Sequence, residues 1–410
     1  MFLIKTTVQF ALAIIQEKRG SIIQRIKWNQ LCLVALTLAM CTQRLSIAAG
    51  NVFYALSIVF FVIDTYRRHR SGEKFFLSAQ VKRYFLVYLF FALTILPSAI
   101  FGLAPGYSFP KYVDYFAVRF FVLVMLLFLN IDREAIEKAL LCLIVFMAVD
   151  GLATVAERLV TQAPRAHGLG DGWLRHASIV ATVFPASIIL WLSRKTDIPH
   201  KNGLLLCAVC IVLGAIASGT RSSWVGIFAV MPFVLAQGLR WSPKKSLVIV
   251  AVFVCVAGLV TANPQLSQRA ESIVNITTDR SNGDRVEAWK GAAIMVREKP
   301  VIGYGILQGG KVYLQKYRTV ADTQGLGHFH NIYVQTAVDS GLLGLLGFLV
   351  CILYSLWMFR HWRRPYALIG FCAWVGFAVV GMFDYTWGMS AAVKTLWFVT
   401  GCSLRLNENA

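Results

Sequence analysis

Runs of roughly 17 to 25 mostly apolar residues recur along this chain, each long enough to cross about 30 Å of hydrocarbon as a helix. Inside lipid every peptide group needs an internal partner, so such runs fold as packed helices. Of 410 residues, 57% are hydrophobic and 15% charged, whereas soluble domains carry about 25% charged residues. The predicted fold is therefore an all-α polytopic membrane protein of about twelve transmembrane helices. The spans are placed at 28–42, 45–65, 84–103, 112–130, 135–159, 176–193, 203–219, 221–238, 246–262, 330–359, 365–383 and 387–405. Residues 1–27 read as an interfacial segment on the cytoplasmic face, with no cleavable signal peptide evident. Spans one to nine occupy 28–262, a helical loop 263–329, the last three spans 330–405, and a cytoplasmic tail 406–410.

A net charge of +20 invites a nucleic-acid reading, but the distribution excludes it. Basic residues gather in short links, among them Arg67, Arg68 and Arg70, then Arg240, Lys244 and Lys245, then Arg360, Arg363 and Arg364. These links fall on every second connection, as cytoplasmic loops require. Both termini are expected inside, and the 263–329 loop outside. That loop reads as a small helical cap, with amphipathic helices at 264–276 and 284–297 broken at Ser281-Asn282-Gly283. Turns are expected at 300–305 and at Gly309-Gly310, and a short helical run at 312–320. The nine cysteines lie in apolar spans, and the Cys207/Cys210 pair, with CxxC spacing but no polar neighbours, reads as packing.

Chemistry-bearing residues concentrate on the outer side. His328 and His330 stand where the loop meets span ten, and His is the side chain best suited to proton transfer near neutral pH. Capping of the helix start by His330 and Asn331 is the structural alternative. A metal on the two histidines lacks a third ligand at familiar spacing, so no metal or other cofactor is expected. Arg221, in a Ser-Gly-Thr-Arg-Ser-Ser turn, offers a permanently charged fork for phosphate, with Ser218, Ser222 and Ser223 as added donors. Arg285 opens a cap helix, where an ion pair with Asp284 or Glu287 is the plainer reading. Arg165, His167 and His176 are also outer-side, Asp384 lies near the outer end of span eleven, and Asp150 is a candidate partner for a buried Arg119. Such a site suits a lipid-linked phosphate substrate, with arginines keeping His330 neutral and hence basic. No Gly-rich nucleotide loop is present.

Three segments carry a resemblance. They are His330-Asn331-x-Tyr333-Val334 with the later Gly341-x-x-Gly344, Ser218-Gly219-Thr220-Arg221-Ser222, and Arg285-x-x-x-Trp289 leading to Pro300-x-x-Gly303-x-Gly305. Together with the topology they make the chain similar to the O-antigen ligase and polymerase superfamily of bacterial envelope glycosyltransferases. Val334 stands where that family usually has Leu, and the segment after Arg165 lacks its usual Pro-Asn. The resemblance implies an inner-membrane enzyme working on the periplasmic side without metal or ATP. His330 would be the general base, Arg221 and Arg285 the diphosphate clamp, and Arg165, His328, Asn331 and Asp384 further substrate contacts. The donor would be an undecaprenyl-diphosphate-linked glycan, the acceptor a sugar of the lipid A–core oligosaccharide, and other O-antigen assembly proteins would be neighbours. An O-antigen polymerase and a protein O-oligosaccharyltransferase are the rivals within the superfamily; a lipid-linked glycan transporter is the rival from another class.

Overall fold

The computed structural model describes residues 27–170, 172–194, 196, 198–274 and 279–408. The expected interfacial segment, apart from Lys27, lies outside them. Among the described residues every regular element is helical. In chain order these are α1 (Trp28–Leu45), α2 (Ile47–Arg70), α3 (Ala79–Phe101), α4 (Pro105–Val113), a π turn (Asp114–Val118), α5 (Phe121–Phe128), α6 (Arg133–Thr161), α7 (Trp173–Leu192), α8 (Gly203–Ala217), α9 (Arg221–Trp241) and α10 (Pro243–Ala262). The expected loop holds α11 (Pro264–Val274), α12 (Arg280–Glu298), α13 (Gly309–Val312) and a second π turn (Tyr313–Tyr317). The chain closes with α14 (Ile332–Met358), α15 (Pro365–Val380), a 3-10 turn (Thr386–Gly388) and α16 (Ser390–Glu408).

Seven of these helices, α2, α3, α6, α7, α9, α10 and α14, are long and apolar enough to cross a membrane, and α8 and α15 are shorter apolar helices. The chain is a multi-pass membrane protein. Its centre is α7, whose apolar stretch is 94% buried, whereas that of α10 is 11% buried and faces outward. A helix apolar on all sides is either enclosed by others or faces lipid, and these two show both cases. Between α6 and α8, Gly151 and Gly214 meet so closely that a Cβ on Gly214 would sit 2.4 Å from the Gly151 Cα. Small residues at such crossings let backbones touch.

Four expectations change. The fourth span, expected as one helix over 112–130, is divided among α4, the π turn and α5, and at the π turn Arg119 folds back on Asp114 at 2.7 Å. Ser281-Asn282-Gly283 does not break a helix but forms the first turn of α12. Asp279 caps that helix by accepting from the Asn282 amide at 2.9 Å, and a good N-cap outweighs the weak propensity of Ser, Asn and Gly. Gly309-Gly310 likewise opens α13, because the buried Asp339 carboxylate accepts from the Gly309 amide at 2.9 Å. The expected tail from 406 continues α16 as far as residue 408. All nine cysteines are free thiols.

Candidate active site

The site is built where α12 leans on the start of α14. Trp289, one turn after Arg285 on the same helix, donates its indole N–H to the Phe329 carbonyl at 2.8 Å. The Phe329 amide in turn donates to Gln335 at 3.1 Å, and its buried ring packs edge-on against Tyr313 at 5.5 Å. With Phe329 fixed, the histidines on either side of it are set together, ring centroids 4.0 Å apart. His330 has φ +45°, in the left-handed region. A non-glycine residue there costs roughly 1–3 kcal/mol and persists where the surroundings over-determine it. The next residue explains part of that hold. Asn331 caps α14, accepting from the Tyr333 and Val334 amides at 2.9 and 3.0 Å and donating to the Met382 carbonyl at 3.0 Å. Its polar atoms are thus committed to backbone, as the capping alternative expected.

A second clamp sets the height of the cap. Asp339 accepts from the Leu307 and Gly309 amides and from Gln335 at 2.9 to 3.0 Å. Gly341 interrupts the helical dihedrals of α14 at φ +68°, and a Cβ there would lie 2.1 Å from the Val301 carbonyl oxygen. The Pro-x-x-Gly-x-Gly loop therefore lies directly against α14, with the Leu342 amide donating to the Pro300 carbonyl at 2.7 Å.

Asp384, from the link between α15 and α16, completes the centre. It is buried, with His330 Nδ1 3.5 Å and His328 Nε2 3.9 Å from its Oδ1. Burial pushes the Asp384 carboxyl up, but the two histidines and the Tyr385 amide hold it below the usual carboxylate range. Burial is also the largest influence on His330 and lowers its pKa, reinforced by His328 and Arg285 and opposed by Asp384. His330 is thereby favoured as a neutral imidazole.

Arg285 is half-buried, and among the described residues no protein group forms a hydrogen bond or ion pair with it. Its two expected partners are taken: Asp284 accepts from Thr323 and Glu287 pairs with Lys290. Burial and the neighbouring Arg221 lower its pKa, with Asp384 and Asp279 opposing. Arg221 is already engaged. It donates to the Ser272 carbonyl and hydroxyl at 2.8 Å and pairs with Asp279 at 3.2 Å, stapling α9 to the cap. Ser218 and Ser223 donate to backbone carbonyls of their own turn, so they are not spare donors. Arg165 joins this group: burial lowers its pKa first, then the charges of Arg269, Arg221 and Arg285. Arg269, on α11, was not anticipated; nothing in its local pattern marks it, and the packing of the cap alone brings it in.

The expected Arg119–Asp150 pair does not form. Arg119 pairs with Asp114, while Asp150 binds Arg44 at 2.8 Å and His176 at 2.6 Å, all three fully buried. His167 supports the loop before α7, its ring accepting from the Gly172 amide at 3.2 Å. His176 is thus a structural partner of Asp150 and His167 of this loop, apart from the His328–His330 pair. His328, His330 and Asp384 also present three donor atoms within 4.8 Å of one another, a set able to hold a metal ion. Asp384 is the third ligand that sequence spacing did not supply, but the Arg285 charge already acting on it disfavours a second cation.

Comparison with known proteins fits this geometry. Residues 206–349 match the family model described as O-antigen ligase, a stretch that includes Arg221, Arg285, His328 and His330. The chain is 26% identical over 216 residues to a Pseudomonas aeruginosa protein named O-antigen ligase, covering 51% of this chain and 48% of that one. It is 25% identical over 203 residues to the Bacillus subtilis teichuronic acid biosynthesis protein TuaE, covering 45% of this chain and 40% of that one. An uncharacterised Haemophilus influenzae protein is 22% identical over 203 residues, 45% of this chain and 51% of that one. The chain thus spans about half the length of these relatives. Over residues 206–349, with Arg221, Arg285 and both histidines inside it, the chain is similar to the O-antigen ligase family.

Proposed function

We propose that the protein is an inverting glycosyltransferase of the inner membrane, with the cap and site on the periplasmic side, twelve helical crossings and cytoplasmic termini. It moves a glycan from undecaprenyl diphosphate to a sugar hydroxyl of the lipid A–core oligosaccharide. The observation that carries this reading is a neutral-leaning His330 beside an Arg285 that pairs with no group among the described residues. With the ring proton on Nδ1, which lies 3.5 Å from Asp384 Oδ1, the Nε2 lone pair is left to take the acceptor hydroxyl proton. The acceptor oxygen then attacks the anomeric carbon, the bond from that carbon to the phosphate oxygen breaks, and the diphosphate leaves on its lipid. Arg285, with Arg165 and Arg269, stabilises the charge that develops on the diphosphate. Arg221, anchored on Ser272, contributes its remaining donors. Asp384 acts as a positioning residue through His330, and no step needs a metal ion.

A cavity of about 530 Å³ between α6, α8 and α10 supports a lipid-linked donor, since Leu159, Leu213, Ile216 and Leu259 line it together with Arg158. In cells, His330→Ala at normal protein level should abolish capped lipopolysaccharide while polymerised glycan accumulates on its carrier. Full ladders in that strain would sink the base assignment. In a deletion strain, a core bearing one repeat unit would assign the protein as a polymerase instead.

A further inference from the structure

At the end of the bundle away from His328 and His330, a cavity of about 860 Å³ opens between the start of α3, the ends of α9 and α14, the 359–364 link, which includes His361, and the end of α16. Arg83, Arg240, Arg360, Arg363 and Arg364 line it, and among the described residues no Asp or Glu does. Among the described residues none of these five arginines has a carboxylate partner. The positive-inside rule explains basic residues on this face, but it calls for no cavity. Four lining residues also keep a buried polar atom without a hydrogen-bond partner: Gln237 Oε1, the Tyr354 hydroxyl, Trp362 Nε1 and Asn407 Oδ1. Native interiors seldom leave such atoms unmatched unless something else satisfies them.

The walls above the cavity are apolar and outward-facing. On α14, Leu342, Leu346, Leu349 and Leu353 form an exposed stripe that runs down to Trp357, 46% exposed at the rim, with Arg360 stacked 4.0 Å from its ring. On the adjoining α3, Leu86, Leu89 and Leu93 are exposed above Arg83. Acyl-length apolar walls ending in an acid-free basic cavity match one class of ligand.

We propose that this cavity binds the phosphate headgroup of an anionic phospholipid of the cytoplasmic leaflet, with its acyl chains along α3 and α14. Basic pockets between helices on that face hold such headgroups, at roughly a fivefold gain in binding per Lys or Arg. The test is native mass spectrometry of the full chain in neutral detergent, titrated with phosphatidylglycerol, phosphatidylcholine or inorganic phosphate. Phosphatidylglycerol should be retained well above phosphatidylcholine. The triple change Arg240→Gln, Arg363→Gln, Arg364→Gln should weaken retention on the order of 100-fold, and the same three changes to Lys should restore most of it. Arg67→Gln with Arg70→Gln, on the same face but outside the cavity, should leave it intact. Equal retention of both lipids, or an undiminished triple variant, would overturn the proposal. Displacement of the lipid by inorganic phosphate at matched concentration would overturn it too, assigning the cavity to a soluble phosphate compound.

Discussion

Replacing Asp384 with Asn isolates one charge while keeping the shape of the site. At 3.5 Å and an effective dielectric near 20, the full attraction between Asp384 and a protonated His330 is about 5 kcal/mol. Burial of the ring opposes it and wins, because the net pKa of His330 lies below its ordinary value of 6.5. The site is also partly open, with the His330 side chain 17% exposed, so water screens part of the pull. We expect the variant to lower the His330 pKa further, because the one attraction opposing burial is removed. The acid limb of the pH–rate profile should therefore move to lower pH. Turnover should fall as well, since an amide holds the Nδ1–H tautomer less firmly. The 3.5 Å separation exceeds an ordinary hydrogen bond, so the fall should be about tenfold, below the roughly 10²–10⁴-fold expected for losing the base itself. The assay is glycan transfer from purified lipid-linked donor to lipopolysaccharide core, run from pH 4.5 to about 8. An acid limb that moves upward, or a loss in Asp384→Asn larger than in His330→Ala, would refute the assignment of Asp384 as acting through His330.

Three other outcomes follow from the same geometry. In the unchanged protein the depressed His330 pKa means that the base is neutral above it, so activity should rise with pH and reach half its plateau below 6.5; a midpoint above 6.5 would contradict the buried, cation-flanked setting. Arg285→Ala removes a guanidinium that no group among the described residues binds, so it should leave the thermal midpoint nearly unchanged while lowering kcat/KM about 10- to 100-fold, the size of a lost charge-assisted contact; equal losses of stability and activity would instead make it structural. Gly341→Ala forces a side chain against the Val301 carbonyl at positive φ and should destabilise the protein by about 2 kcal/mol or more, read as a lowered thermal midpoint in detergent; an unchanged midpoint would show that the 300–305 loop is not held against α14.

Several parts of this protein are decided within a few residues of chain and are legible there. Apolar runs of crossing length set where helices form, because lipid leaves the backbone no other partner. The Arg285–Trp289 spacing already places both side chains on one helical face, and Asn331 ahead of an apolar run already reads as a cap. Local reasoning misplaced the start of α12, because the Asp279 cap outweighs the Ser-Asn-Gly sequence after it. The rest depends on contacts that no local window contains. Asp384 reaches the histidines across more than fifty residues of chain, Arg269 arrives on a cap helix, and Asp150 chooses Arg44 and His176 over Arg119. A buried charge takes whichever counter-charge the packing brings within reach, and in a helical bundle the tertiary fold alone decides which helices are neighbours.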